Sequence, residues 1–205
     1  IINAVEEGRI VFNNTRRTSF FLVTTNLAEQ VTIISTLLLG LPLPLIPTQI
    51  LWLNLVTDTG AGIGLATEPG HKETLNRKPL NAKEDILNKE VIPFAILMGA
   101  IMVVLTILVF DNFLSVSLEK ARTGAFLVMA LTQLYNAFNM RSLRKSVFKL
   151  KFLSNKTLMV ATLISLLLVV GIIYIGFFQR VFQFTPLSIG EFIFIFVISR
   201  SEERR

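Results

Sequence analysis

The chain has 205 residues, 52% of them hydrophobic, and a formal net charge of +6. Its mean hydropathy of +0.63 is too high for an ordinary soluble domain, and the absence of cysteine excludes both a disulfide framework and a Cys-based metal site. The positive charge does not describe a nucleic-acid surface. Of the 20 Lys and Arg residues, all but Lys120, Arg122 and Arg180 lie in the two ends or in the connections 68–90 and 140–156. That asymmetry is the positive-inside bias of a membrane protein. It puts both termini in the cytoplasm and calls for an even number of crossings.

Residues 3–17 are amphipathic and lead directly into an apolar block, so a stalk helix running from cytoplasm into membrane is expected, with Gly8 its weak point. No secretory signal opens the chain. Ile1-Ile2-Asn3-Ala4 is not a natural start, so a piece of a longer protein is expected. Five blocks are long enough to span a bilayer, which takes about 20 residues: roughly 18–39, 46–67, 91–110, 123–139 and 157–178. A sixth, roughly 184–199, is short. The predicted fold class is all-α, a polytopic membrane bundle of about six helices with the last one short. The predicted organisation is a stalk over 1–17, an ion-binding helical hairpin over 18–67, a cytoplasmic loop over 68–90, and a C-terminal four-helix bundle with a basic tail over 91–205. His71 reads as a solvated loop residue. Trp52, Tyr135 and Tyr174 form no clear aromatic belt.

The first two spans each contain an acid, Glu29 and Asp58, joined by the short uncharged loop Gly40-Leu-Pro-Leu-Pro-Leu-Ile-Pro47. Glu29 lies ten residues from Leu39, and Asp58 eleven from Pro47, which is about 15–16 Å each along a helix. Both acids therefore fall near mid-membrane at similar depth. Carboxylates in hydrocarbon are costly and normally mark an ion or proton path. No Lys or Arg occurs inside the strong spans, so these acids must be protonated or hold cations. Asn26 shares a helix face with Glu29. Asn54 and Thr57 share one with Asp58, and Gln133 with Asn136. Two carboxylates, several amide oxygens and a hydroxyl suit a hard cation such as Ca²⁺. The absence of His and Cys clusters disfavours soft metals. For Gln133 and Asn136, interhelical hydrogen bonding is the plainer alternative. Gly60-Ala-Gly-Ile-Gly64 follows Asp58, and it permits either local unwinding that exposes carbonyls or close packing through small residues.

Ala4-Val-Glu-Glu-Gly-Arg9 with Asn13-Asn14 resembles the stalk entry of the fifth membrane helix of P-type cation ATPases. Leu41-Pro-Leu-Pro-Leu-Ile-Pro-Thr-Gln-Ile-Leu-Trp-Leu-Asn-Leu-Val-Thr-Asp58 resembles their fifth-to-sixth hairpin, and Glu68-Pro69 and Asn136-Ala-Phe-Asn139 fit the same pattern. The resemblance covers nearly the whole chain and is closest to the calcium-pump class, helices five to ten. It implies metal ligands at Asn26, Glu29, Asn54, Thr57, Asp58 and Gln133, and no catalytic residue in this stretch. Two-site calcium pumps carry Glu at the position of Gln133. Plasma-membrane calcium pumps carry Gln there but lack the fifth-helix Glu, so this chain mixes two patterns. The Asp-Lys-Thr-Gly phosphorylation motif and the fourth helix do not occur in it.

What the resemblance implies is an ion-translocating ATP hydrolase of which this chain is the ion-binding part, with Ca²⁺ as the transported ion. ATP and Mg²⁺ would act only through the missing cytoplasmic domains. The implied partners are the lipid bilayer, the first four membrane helices and the headpiece, with no nucleic acid. The implied place is an integral membrane position, in the plasma membrane if bacterial. Alternatives are a pump for Na⁺, K⁺, Mn²⁺ or H⁺, and a non-transporting membrane scaffold. A secondary transporter is disfavoured by the lack of an inverted repeat.

Overall fold

A computed structural model describes residues 2–70, 91–142 and 154–200; His71, most of the 68–90 connection and the end of the basic tail lie outside the described residues. The described residues are helical and contain no strand. Helix α1 runs unbroken from Ile2 to Leu38, about 55 Å at 1.5 Å per residue. The stalk and the first span are thus one rod, and Gly8 does not interrupt it. The rod ends in a Schellman motif. Gly40 takes a positive φ of 71°, its N–H donates to the Leu37 carbonyl, and the Leu41 N–H donates to the Thr36 carbonyl.

The second acid-bearing segment returns as three joined pieces: α2 (Pro47–Trp52), a π-helical turn (Leu53–Asp58) and α3 (Thr59–Ala66). The distortion falls on the acid-bearing turn and not on the glycines that follow. Those glycines remain α-helical and serve close packing, which decides between the two readings of Gly60–Gly64. A Cβ on Gly64 would lie 2.6 Å from Leu158 Cα, and one on Gly60 would lie 2.8 Å from Ser165 Oγ. Both neighbours belong to the next-but-two helix, α6.

Helices α4 (Ile92–Leu114), α5 (Leu118–Met140), α6 (Lys156–Tyr174), α7 (Gly176–Phe182) and α8 (Ile189–Ser199) complete the described bundle. Ser117, Asn155 and Ser188 cap α5, α6 and α8 through their side chains. The span expected to reach residue 178 ends earlier, because Ile175 is extended (φ −87°, ψ 119°) and splits α7 from α6. Helix α8 has 11 residues, about 16 Å and roughly half a hydrocarbon core.

Three helices, Asn3–Leu38, Ile92–Leu114 and Lys156–Tyr174, are long and apolar enough by themselves to cross a membrane. Helix α5 is equally long but carries more polar residues, and the packing explains why. Every residue from Thr123 to Leu134 is buried, so α5 is the axis around which the others pack. One core cluster joins it to α4, α6 and α8, and the other joins its end to α1, α3 and the start of α4. A helix enclosed by protein can carry Thr132, Gln133 and Asn136 where a lipid-facing one cannot. The outer faces of α1, α4 and α6 expose large aliphatics, among them Leu27, Ile34, Leu97, Leu108, Leu163 and Leu167. Such a surface suits lipid or further helices.

Candidate cation-binding site

The tight turn at Gly40 sets α1 beside the π-helical turn, and α5 closes the third side. Glu29 and Asp58 are 3% and 2% exposed, and they lie within electrostatic reach of each other. Glu29 is held by amides. Gln133 Nε2 donates to its Oε1 at 2.7 Å, and Asn54 Nδ2 approaches its Oε2 at 3.4 Å. Asp58 is held through one oxygen only. Its Oδ2 accepts from Thr25 Oγ1 at 2.9 Å and from Asn26 Nδ2 at 3.2 Å.

Every hydrogen-bond donor to these two acids is neutral. Buried charge is ordinarily paired with a base, and neither acid has one among the described residues. The remaining oxygens are equally telling. Asp58 Oδ1, Thr57 Oγ1, Gln133 Oε1 and Asn136 Oδ1 are buried and make no hydrogen bond to the protein. Buried polar atoms are nearly always satisfied, and such exceptions on the elements that carry the acids call for water or an ion. Among the described residues no three His, Cys, Asp or Glu side chains converge. The arrangement is therefore two carboxylates supplemented by amide and hydroxyl oxygens, a donor set suited to a hard cation.

The π-helical turn adds to this. Its wider winding shifts carbonyls away from their usual partners, and such turns concentrate at functional sites. Here Thr59 Oγ1 donates to the Asn54 carbonyl at 3.0 Å, and Ser165 Oγ donates to the Val56 carbonyl at 3.1 Å. A cleft of about 370 Å³ between α1 and α3, lined in part by Thr18, Leu22, Asn54 and Asp58, reaches Asp58 from the side.

All six residues singled out by sequence lie in the two helices and the turn that form this cluster. Asn26, Glu29, Asn54, Asp58 and Gln133 are joined by the hydrogen bonds above, and Thr57 is fully buried beside Asp58. The structure adds Thr25, which sequence reasoning missed, and it brings forward the unsatisfied Asn136. Two further residues lie in the connections where the sequence put them, but their burial and pairing were not foreseen. Arg141 and Glu68 are 0% and 1% exposed and form a two-pronged ion pair at 3.1 and 3.0 Å. Each lies just past the end of its helix, where charge ordinarily signals solvent.

Residues 42–201 match the family model described as cation transporting ATPase, C-terminus, and the chain belongs to that family, as the C-terminal segment of a P-type ATPase. It is 33% identical over 217 residues to a calcium-transporting ATPase 1 of Bacillus cereus, covering 97% of this chain and 24% of that protein. It is 32% identical over 206 residues to a calcium-transporting ATPase type 2C member 1 of Mus musculus, covering 98% of this chain and 22% of that protein. A probable cation-transporting ATPase F of Mycobacterium tuberculosis is 30% identical over 200 residues, covering 96% of this chain and 22% of that protein. The chain thus spans about a quarter or less of the length of these relatives.

Proposed function

We propose that this chain is the cation-binding membrane segment of an ATP-driven pump whose transported substrate is Ca²⁺. The observation that carries the reading is the pairing of Glu29 and Asp58 with neutral donors alone. Asn26, Glu29, Asn54, Thr57, Asp58 and Gln133 are the ligands, and amide rotation turns the oxygens of Asn26, Asn54 and Gln133 toward the ion. Two carboxylates match the charge of one divalent cation, and an oxygen-only donor set favours Ca²⁺ over softer metals. The calcium-transporting names of the relatives in Bacillus cereus and Mus musculus point the same way.

ATP and Mg²⁺ act through parts of the pump outside this chain, and energy arrives mechanically through the stalk at residues 1–17. The hairpin 18–67 is the ion-binding unit, 68–90 a cytoplasmic loop, and 91–205 the supporting bundle. Both termini face the cytoplasm, as the charge asymmetry requires.

Asp58→Asn in the full-length protein tests the reading. It removes half of the carboxylate charge while keeping size and hydrogen bonding. The expected outcome is loss of Ca²⁺-dependent phosphoenzyme formation from ATP, and an unchanged Ca²⁺ dependence overturns the assignment. A second reading, a pump for another cation, draws on the neutral Gln133 facing Glu29 and on the broader name of the mycobacterial relative. Competition of Na⁺, K⁺ and Mn²⁺ against Ca²⁺ in a vesicle uptake assay separates the two.

A further inference from the structure

The ion-binding reading leaves one buried acid unused. Glu68 follows α3 by two residues and is held on every side. Arg141 Nε and Nη2 donate to its two oxygens at 3.1 and 3.0 Å, and Asn155 Nδ2 donates to Oε2 at 2.6 Å. Asn155 Nδ2 also reaches the Gly64 carbonyl at 2.8 Å, and Asn155 Oδ1 caps α6 by accepting from the Leu158 N–H. Arg141 Nη2 donates to Ser154 Oγ at 2.6 Å. From α1, Asn14 Nδ2 donates to the carbonyls of Ala66 and Glu68 at 3.0 and 2.8 Å, and Asn14 Oδ1 accepts from Arg17. One buried cluster therefore binds the end of α3 to α1, α5 and α6. A buried ion pair is weak evidence for stability, and fixing the register of packed elements is its best-attested use.

The register it fixes is that of the acid-bearing segment 47–68. Helix α1 meets that segment at two levels: Thr25 and Asn26 at Asp58, and Asn14 at Ala66 and Glu68. The two levels are separated by eleven or twelve residues on α1 and by ten between Asp58 and Glu68, about 15–18 Å on either side. Between them Gly64 sits against Leu158 too closely to admit a Cβ. The acid-bearing segment is thus tied to the rod at two heights and pressed onto α6 in between. A displacement of the N-terminal part of α1 reaches Asp58 along two routes, through α1 itself and through Asn14 and α3.

We propose that Asn14, Glu68, Arg141 and Asn155 form a positioning clasp that makes the acid-bearing turn follow the movement of α1. The inference rests on the reading of Asp58 as an ion ligand. None of the four clasp residues touches the ion; they act by holding α3 in register. Their loss is expected to separate ion binding from its consequence.

The test uses the full-length protein in membrane vesicles, with Asn14→Ala and Glu68→Gln read in two assays: equilibrium binding of radiolabelled Ca²⁺, and Ca²⁺-stimulated phosphorylation by ATP. The expected result is Ca²⁺ binding within about threefold of the unaltered protein and a loss of about tenfold in stimulated phosphorylation, a size ordinary for coupling between sites. Exchange of the pair, Glu68→Arg with Arg141→Glu, is expected to restore part of that loss over either single change. Equal losses in both assays mean that the cluster only holds the bundle together, and they overturn the proposal, as does unchanged stimulated phosphorylation. If Glu68→Gln fails to accumulate, Asn14→Ala decides, since it strands no charge. Asp58→Asn is measured alongside. If it retains Ca²⁺ binding, the ion-site reading fails and the coupling proposal with it. If it loses binding while Asn14→Ala shows no split, the clasp alone fails.

Discussion

Asp58 and Glu68 sit ten residues apart on one segment, both almost fully buried, in opposite electrical circumstances. Glu68 faces a guanidinium that meets both of its oxygens, and an amide completes the shell. Asp58 meets a hydroxyl and an amide on one oxygen and no protein donor on the other. Burial is the same, so burial does not identify a functional acid. The partner set does. An acid whose charge is balanced within the fold serves the fold, whereas one left unbalanced among neutral oxygens is arranged for a charge from outside.

The contrast predicts what happens when either acid is given the other's surroundings. The largest effect is expected for Gln133→Lys, which puts an ammonium where Glu29 now receives an amide. The built-in cation occupies the charge that Ca²⁺ requires, and Coulomb repulsion is expected to weaken Ca²⁺ binding at least about a hundredfold. Equilibrium binding of radiolabelled Ca²⁺ checks it, and unaltered affinity breaks the comparison. Next is Arg141→Ala, which leaves Glu68 buried and uncompensated. Stranding one member of a buried pair costs about 3–5 kcal/mol, while replacing both members with apolar residues of similar volume costs little. Thermal unfolding of the protein in detergent should show a large drop for Arg141→Ala and a small one for Glu68→Leu with Arg141→Met.

A smaller effect is expected at the contact that presses α3 onto α6. Gly64→Ala drives a methyl group into Leu158 and is expected to cost about 1–3 kcal/mol by overpacking. Gly8→Ala is the control at the other end of the scale. Nothing lies within 4 Å of a Cβ there, and removing a helical glycine should stabilise by about 0.5–1 kcal/mol. The same unfolding measurement ranks the two, and a Gly64→Ala protein as stable as Gly8→Ala denies the close packing.

The bundle was legible in the sequence because bilayer-length apolar blocks leave few choices of structure. Glu29 and Asp58 were legible because an acid in such a block is anomalous. Helical spacing put Asn26 on the face of Glu29 and Asn54 and Thr57 on that of Asp58, whereas spacing paired Gln133 only with Asn136, and it joined the ligands through the family resemblance. Thr25 gave no such signal. Threonine in an apolar helix usually bonds back to the preceding turn, and Thr25 does approach the Phe21 and Leu22 carbonyls at 3.2 Å as well as Asp58. The Glu68–Arg141 pair was hidden by a separation of 73 residues and by its place at helix ends rich in charge. The distorted turn was hidden for a different reason. Glycine composition pointed to Gly60–Gly64, but whether a small residue loosens a helix or seats it depends on what lies across from it, and here α6 does. The break at Ile175 carries no proline to announce it; only Gly176 follows.

The π-helical turn lies between two anchors. At the Pro47 end, Gln49 is fully buried, accepts from the Ile46 N–H and donates to the Phe182 carbonyl at 2.8 Å. At the other end, Ala66 and Glu68 are held as described. Torque applied to a helical segment gripped at both ends is expected to collect where its winding departs from the α-helix, and here that place is Leu53–Asp58. The six residues that include Asn54, Thr57 and Asp58 are therefore where a twist between the two anchors would first change the spacing of those three side chains.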